Sequence, residues 1–478
     1  MPVNRRHFVT GLALAGVAAD LRAADPIPAE QEAAHDVTRT LARYVVAAVP
    51  ADLPEPPRKA ATRTFLNWMG CAVGGSRHET VDIAVAALGP FSGPAQATLL
   101  GRKERLDILN AALINGIASH IFDYDDTHLR TVIHPAGPVA SALLALSEYH
   151  PVTGRDFVNA LALGVEVECR IGNAVYPSHY DAGWHITGTA GVFGAAAAAG
   201  KILGLSEQQM LWALGLAATQ PVGLKEMFGT MTKSFHPGRA AQNGLTAALL
   251  AAKGFTSSEQ SLEAKNGWVR AVSTAHNYAE LTEKLGKTYE ISLNTYKPFA
   301  CGVVIHPAID GCIQLRNQYK LTADQIDRID LRVHPLVLEL TGKKTPQTGL
   351  EGKFSVYFAA ALAIVQGAAG EKEFSDKLVR DPVIVALRDR VTPAPDTTIG
   401  ETAVQVTITL KDGRRLEKSV EHAIGSLENP LSDGDLGKKF LDLTTSVFPL
   451  TKSRKLLELC WNLENLPSVA EVAKAAAV

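Results

Sequence analysis

The chain has 478 residues and a formal net charge of −2, with 46% hydrophobic and 20% charged residues. A chain of this length can bury a large core and is expected to divide into about two or three domains. The near-zero net charge and the scattered lysines and arginines argue against the basic stripe of a nucleic-acid-binding protein.

Residues 1–24 differ in composition from the rest of the chain. Arg5 and Arg6 are followed by Phe8 and then by a short apolar segment that ends in small residues. This order is typical of a cleaved export signal, and the paired arginines resemble a twin-arginine signal. The apolar segment is too short for a membrane span. We therefore expect a mature protein that begins near Asp20, makes no membrane contact and is periplasmic, or cytoplasmic if the signal is not used.

Residues 34–291 carry the apolar spacing of helices. Leu41, Val45 and Ala48, for example, recur on one helical face. Several segments in this range are apolar on every side, which is typical of helices in the interior of a large domain. None of the five cysteines has the spacing of a zinc site, and their odd number does not indicate a disulfide framework.

A polar stretch at 118–138 separates two apolar helical segments and contains Asp123, Thr127 and His134. If the first helix continues through this stretch, Asp123 and Thr127 are four residues apart and share a face. The helical pattern breaks at His134, because the residue before a proline is driven out of the helical region. The stretch predicts either an acid/base centre or a solvated, capped helix end.

Two further polar clusters each precede an apolar helix. His185 lies at the start of the first helix, where the helix dipole favours the neutral imidazole and thus a role as a proton acceptor. The alternative is a structural histidine of the core. Lys233, His236 and Arg239 lie within seven residues of one another. They precede a helix predicted at 240–252, whose free N–H groups would complete a site for a carboxylate or phosphate. The alternative here is a solvated loop.

Near Ile291 the pattern changes to short strands and helices. Apolar residues alternate with polar ones at 329–333, at 404–410 and at 416–420. An Asp-Gly turn at 412–413 separates the last two segments, which predicts a β-hairpin.

These strands, with helical stretches at 354–366 and 373–390 between them, predict a smaller α+β domain over residues 292–428. The helical pattern returns after Pro430, so residues 429–478 are expected to rejoin the helical domain of residues 34–291. The predicted fold class is mainly α, with a large all-helical domain built from the N-terminal part and the C-terminal tail.

Five motifs follow one another along the chain: DYDDTH with a later HP, GWHITGTAG, MTKSFHPGRAAQNG, KPFACGVVIHPA and NPLSDGDLGKKF. Together they resemble the MmgE/PrpD family, which includes 2-methylcitrate dehydratase, cis-aconitate decarboxylase and iminodisuccinate epimerase. The resemblance covers about residues 34–463. It implies that the smaller domain is a lid, that the protein is a homodimer and that the site lies in the cleft between domains. It further implies a small di- or tricarboxylate substrate and neither a metal nor an organic cofactor.

Carried over motif by motif, the resemblance assigns catalytic roles to Asp123, Thr127, His134, His185 and Lys233. Substrate carboxylates are expected to bind to Lys297, His306 and Arg239.

A tyrosine of the decarboxylase pattern aligns with Phe358, and Tyr357 lies one residue too early. One residue turns a helical side chain by about 100°. This departure counts against a strict decarboxylase and leaves the substrate open.

The activities of this family share the handling of a proton on a carbon next to a carboxylate. Lys233 and Lys297 would stabilise the negative charge that develops there. The acid and base would come from His134, His185 and Asp123. The main expectation is elimination of water from a hydroxylated di- or tricarboxylate, as in 2-methylcitrate dehydratase. Decarboxylation is the first alternative and epimerisation the second; a periplasmic carboxylate-binding protein without catalysis is the alternative from another class.

Overall fold

The computed structural model describes residues 35–478. The segment 1–24, in which the sequence predicts an export signal, lies outside the described residues. Within 35–478 the chain is mainly helical, as predicted, and no helix there is both long and apolar enough to cross a bilayer. All five cysteines are free and buried.

The first part of the chain forms a body of helices. These are α1 (Val37–Ala47), α2 (Glu55–Gly75), α3 (Glu79–Leu88), α4 (Ile108–His120), α5 (Ala136–Ser147), α6 (Gly154–Val175), α7 (Ser178–Asp181), α8 (Ile186–Ile202), α9 (Glu207–Ala218), α10 (Thr232–Ala252), α11 (Trp268–Val272) and α12 (Ala279–Thr282). Two short antiparallel pairs accompany them, β1 (Ala97–Thr98) with β2 (Arg105–Leu106) and β3 (Asp126–His128) with β4 (Asn294–Tyr296).

The second part of the chain forms a smaller α+β body and then returns to helix. The smaller body contains α13 (His306–Tyr319), β5 (Ile326–Val333), α14 (Pro335–Thr341), α15 (Gly349–Gly352), α16 (Val356–Gln366), α17 (Asp376–Val379), α18 (Pro382–Arg388), β6 (Val391–Pro395), β7 (Val404–Leu410) and β8 (Arg415–Val420). The tail contains α19 (Asp433–Thr444), α20 (Leu450–Trp461) and α21 (Ala470–Ala475).

Glycine and alanine let the central helices of the larger body approach one another closely. α10 packs against α8 and α4, and α6 packs against α8. Where α4 crosses α10, a Cβ atom on Gly116 would lie 2.4 Å from the Cα of Gly238. Only glycine fits at this crossing. It fixes α4, which leads into the polar stretch 118–138, relative to α10, which carries Lys233.

The C-terminal tail shares a core with the N-terminal helices. α19 packs against α2, where a Cβ atom added to Gly70 or Gly74 would approach Phe440 or Leu443 to 3.1 Å. The tail helices and α2 contribute to one continuous cluster of buried apolar side chains. The two ends of the described chain therefore stabilise the same body.

The smaller body is built around a four-stranded sheet with the strand order β6-β5-β7-β8. β5 is parallel to β6 and antiparallel to β7, and β7 and β8 form an antiparallel hairpin. The predicted hairpin is thus confirmed, and Gly413 adopts a φ of 86° in its turn, a value that glycine favours. α13 packs on β7 and β8, while α16 packs on β6.

The stretch 373–390, predicted as one helix, contains the two helices α17 and α18. Asp381 separates them, with the extended backbone angle ψ of 124° that a following proline favours. Its carboxylate accepts hydrogen bonds from the N–H groups of Val383 and Ile384 and caps α18. The Asp-Pro pair therefore ends one helix and starts the next.

We predict that Gly238→Ala destabilises the protein. The added methyl group would lie 2.3 Å from the carbonyl oxygen of Leu113, so α4 or α10 must shift. We expect the free energy of unfolding, measured by urea denaturation, to fall by about 1–3 kcal/mol.

Gly89→Ala is the matched control, because within residues 35–478 no atom beyond its chain neighbours lies within 4 Å of the added Cβ, and φ is already −52°. It should change stability by less than about 0.5 kcal/mol. Equal losses in the two variants would contradict the packing account.

Candidate active site

The polar stretch 118–138 does not continue as a helix, so the expectation that Asp123 and Thr127 share a helical face is wrong. α4 ends at His120, and Asp123 has a φ of 50°, in the left-handed region. The chain then enters β3, whose backbone pairs with β4. Tertiary strand pairing replaces the helix here, and it directs Asp123 and Thr127 toward the same cavity.

α10 begins at Thr232, eight residues earlier than the sequence predicts. The N–H of Lys233 already bonds to the carbonyl of Thr230, so the first turn forms well before Pro237. The predicted anion site at a helix start after His236 is therefore wrong. Lys233 and His236 lie instead within the first turns of the helix, and both are buried.

Asp123 lies between two buried lysines. Its Oδ1 accepts a hydrogen bond from the Nζ of Lys233 at 2.9 Å and another from the Nζ of Lys297 at 2.7 Å. Lys297 also donates to the carbonyl oxygen of Asp123 at 3.1 Å. Each of the three residues is no more than 6% exposed. Two ammonium groups against one carboxylate leave a positive charge that attracts a carboxylate ligand.

The pKa shifts distinguish the two lysines. Burial alone would raise the pKa of Asp123, but Lys233 and Lys297 outweigh it and hold that pKa well below its usual value. Burial lowers the pKa of Lys233, and Asp123 offsets only part of the effect. For Lys297 the attraction of Asp123 and Asp125 outweighs burial and raises the pKa. Lys297 is the fixed cation, and Lys233 releases its proton more readily.

Two neutral histidines lie beside the lysines. The Nδ1 of His134 donates to the carbonyl oxygen of Asp126 at 2.7 Å, and the Nδ1 of His120 donates to Oδ2 of Asp125 at 2.7 Å. Because a carbonyl and an ionised carboxylate only accept, each Nδ1 carries the proton and each Nε2 keeps a lone pair. Burial lowers the pKa of both rings, that of His134 to about 3. Both rings are therefore neutral at pH 7.

His185 is the third histidine of the site. It lies at the N-cap of α8, and its Nδ1 is 2.8 Å from the Nδ1 of His236, so one ring of the pair donates and the other accepts. Burial, together with Lys233 and His236, holds the pKa of His185 well below its usual value. Burial also lowers the pKa of His236 to about 4. Both rings are therefore neutral at pH 7, and a proton can pass between their Nδ1 atoms.

One cavity brings together six of the predicted residues, namely Asp123, Thr127, His134, His185, Lys233 and Lys297. The rest of its lining is mainly apolar and includes Val132, Tyr180, Phe228, Val303, Val304, Leu340 and Phe354. None of these lining residues is predicted from the sequence. Tyr180 lies in a polar segment five residues before His185, and this position is a local signal for the site. The apolar lining residues have no such signal, because the sequence pattern of a cavity wall is the same as that of a core.

Three predicted residues do not line this cavity. Arg239 is exposed and donates to Gln242, because it lies six residues, about 240° of helical rotation, beyond Lys233. His306 is buried with its Nε2 3.4 Å from the carbonyl oxygen of Cys301. Tyr357 packs against the apolar core of the smaller body, as its one-residue shift would lead one to expect.

The site residues can also be considered as metal ligands. One ring nitrogen of each of His120, His134 and His185 lies within 4.8 Å of the other two. Imidazoles whose second nitrogen is hydrogen-bonded are suited to hold a transition metal. The ammonium groups of Lys233 and Lys297 oppose a cation at this position, so the arrangement suits anion binding and proton transfer better.

Both parts of the chain match family models. Residues 39–281 match the MmgE/PrpD N-terminal domain, and residues 299–464 match the MmgE/PrpD C-terminal domain. A cis-aconitate decarboxylase of Aspergillus terreus is 27% identical over 92% of this chain and 96% of its own. The cis-aconitate decarboxylase of Homo sapiens is 28% identical over 84% of this chain and 87% of its own, and that of Mus musculus 26% identical over 85% and 86%.

We predict that the stability of the protein depends on pH through His134. Its folded-state pKa is about 3, whereas the unfolded side chain binds a proton below its ordinary pKa of 6.5. The unfolded state therefore binds more protons between these values, and the parent loses stability as the pH falls below 6.5. Between pH 7 and pH 5, the free energy of unfolding of the parent should fall by about 2 kcal/mol more than that of His134→Gln. Urea denaturation of both proteins at both pH values measures this, and a difference independent of pH would contradict a neutral His134.

Proposed function

The chain belongs to the MmgE/PrpD family, and on this premise we propose that it is a lyase that decarboxylates a small unsaturated tricarboxylic acid of the cis-aconitate class. The relatives described above are cis-aconitate decarboxylases that match over 86% or more of their own length. They favour decarboxylation, the first alternative from the sequence, over dehydration of 2-methylcitrate, which was the main expectation.

The observation that carries the proposal is the mixed character of the cavity. The Asp123 cluster supplies a net positive charge, and Phe228, Val303 and Phe354 supply apolar lining beside it. Carboxylates that stay on the substrate bind the lysines. A carboxylate that leaves as neutral CO2 is favoured by apolar surroundings, because these destabilise the charged group relative to the uncharged product.

The electrons and protons of the proposed decarboxylation balance without a cofactor. The bond between carbon and the leaving carboxylate breaks, its electron pair forms a new carbon–carbon double bond, and the electron pair of the original double bond moves toward the retained carboxylate. Lys297 lies beside Asp123 as a fixed cation and stabilises that charge. Lys233, whose pKa burial lowers, then donates a proton to carbon and regains one from solvent.

The test of the proposal is product analysis with a panel of substrates. Purified protein is incubated separately with cis-aconitate, citrate and 2-methylcitrate, while released CO2 and the organic products are measured. We expect CO2 and an equimolar unsaturated dicarboxylate from cis-aconitate alone. Loss of water from 2-methylcitrate without CO2 would replace the proposal with the dehydratase. Binding without turnover of any acid would replace it with a carboxylate-binding protein.

We predict that Lys297→Met lowers kcat/KM for the decarboxylated acid by about 10²–10³-fold, because a charge-stabilising donor next to the reaction is lost. Lys372→Met is the control, since Lys372 is exposed and forms an ion pair with Asp442 on the surface. The kcat/KM of the control should stay within twofold of that of the parent in a steady-state assay. A Lys297→Met protein with more than a tenth of the parent activity would contradict the assignment.

A further inference from the structure

Three buried lysines bind three consecutive carbonyl oxygens around Asp123. Lys353 donates to the carbonyl of Phe122 at 2.6 Å, Lys297 to that of Asp123 at 3.1 Å and Lys439 to that of Tyr124 at 2.6 Å. The lysines come from distant parts of the chain: Lys297 follows β4, Lys353 lies between α15 and α16, and Lys439 lies on α19.

The turn at Asp123 needs such support. A φ of 50° lies in the left-handed region, which is unfavourable for a residue with a side chain. Asp123 and Tyr124 are buried and Phe122 is partly buried, so their carbonyl groups require hydrogen-bond partners that a regular helix or strand would otherwise supply. The lysine ammonium groups are those partners, and each carbonyl is held by a different one.

Lys353 and Lys439 also hold the segment that carries Lys297. Lys439 donates a second hydrogen bond to the carbonyl oxygen of Lys297 at 2.8 Å. Lys353 donates a second one to the carbonyl oxygen of Ala300 at 3.0 Å. Each of the two ammonium groups thus connects the turn that presents Asp123 with the segment that presents its partner.

Neither Lys353 nor Lys439 lines the cavity, so neither touches a ligand there. The charge of Lys353 is balanced by Glu371. Among residues 35–478 Lys439 makes no ion pair; its ammonium lies 3.9 Å from the centroid of the Tyr124 ring. A buried ammonium without a carboxylate partner costs the fold free energy. Its presence therefore indicates a task other than general stability.

We propose that Lys353 and Lys439 are positioning residues, which clamp the Asp123 turn to the Lys297 segment and so set the geometry of the Asp123–Lys297 pair. The clamp gives the GKKF motif near the C-terminus a link to the active site, through the hydrogen bonds of Lys439 to the carbonyl groups of Tyr124 and Lys297. It also assigns different tasks to the two neighbouring lysines of that motif, since Lys438 is exposed and pairs with Asp435.

The test compares Lys439→Met and Lys353→Met with two controls in the full chain. Lys438→Met is matched in substitution and helix, and the Lys438 side chain is 81% exposed. Leu456→Ala removes a fully buried side chain from the larger body and controls for a loss of stability alone. All proteins are assayed at temperatures where circular dichroism shows them folded.

Crystal structures provide the readout that does not depend on the reaction. In both Met variants of the clamp we expect the distance from Asp123 Oδ1 to Lys297 Nζ to exceed 3.5 Å, compared with 2.7 Å in the parent. The Lys438→Met structure should keep the parent distance. An unchanged pair in both clamp variants would overturn the proposal.

The kinetic readout rests on the proposed function. We expect kcat to fall at least tenfold in each clamp variant while KM changes less than threefold, with both controls within twofold of the parent. An equal loss of kcat in Leu456→Ala would overturn a positioning role. If Lys439→Met does not fold, Lys439→Gln, which retains one donor group, takes its place with the same outcomes. Absence of turnover in the parent would refute the proposed function and leave the structural readout valid.

Discussion

The rest of the site depends on one buried interaction, the carboxylate of Asp123 shared by Lys233 and Lys297. Removing three charges from water costs several kcal/mol for each ion, and mutual attraction repays this cost only in good geometry. That geometry comes from the fold. The glycine crossing of α4 and α10 places Lys233 beside the turn, and the pairing of β3 with β4 brings Lys297 to its other side. The packing of these helices and strands therefore determines the positions of the three charged side chains.

Burial raises the free energy of the charged groups at this site, and for the same reason it keeps the histidines neutral. Charged imidazoles at His134 and His185 would face the two ammonium groups and repel them, and burial lowers the pKa of both rings. Asp125 accepts a hydrogen bond from the ring of His120, and its negative charge helps to keep Lys297 protonated. The site consequently contains one fixed cation, Lys297, an ammonium group that releases its proton more readily, Lys233, and neutral imidazoles, which can accept protons.

Local signals predicted much of this structure, because they act within a few residues. The Asp-Gly turn specified the hairpin of β7 and β8. The six residues that share the cavity were assigned by the resemblance to a known family, since each polar cluster alone left alternatives open. The failures have a common cause in tertiary contacts. The left-handed turn at Asp123 is held by lysines more than a hundred residues away, and no local pattern records them. Arg239 lies outside the cavity because α10 begins eight residues earlier than predicted.

The most direct test of the account is proton NMR and mass spectrometry of the reaction of cis-aconitate in deuterated water. Lys233 exchanges its protons with solvent, so a proton delivered from it to carbon arrives as deuterium. We expect an unsaturated dicarboxylate that has lost one carboxylate as CO2 and carries one deuterium on carbon. A product that retains all three carboxylates, or one that forms without deuterium on carbon, would contradict it.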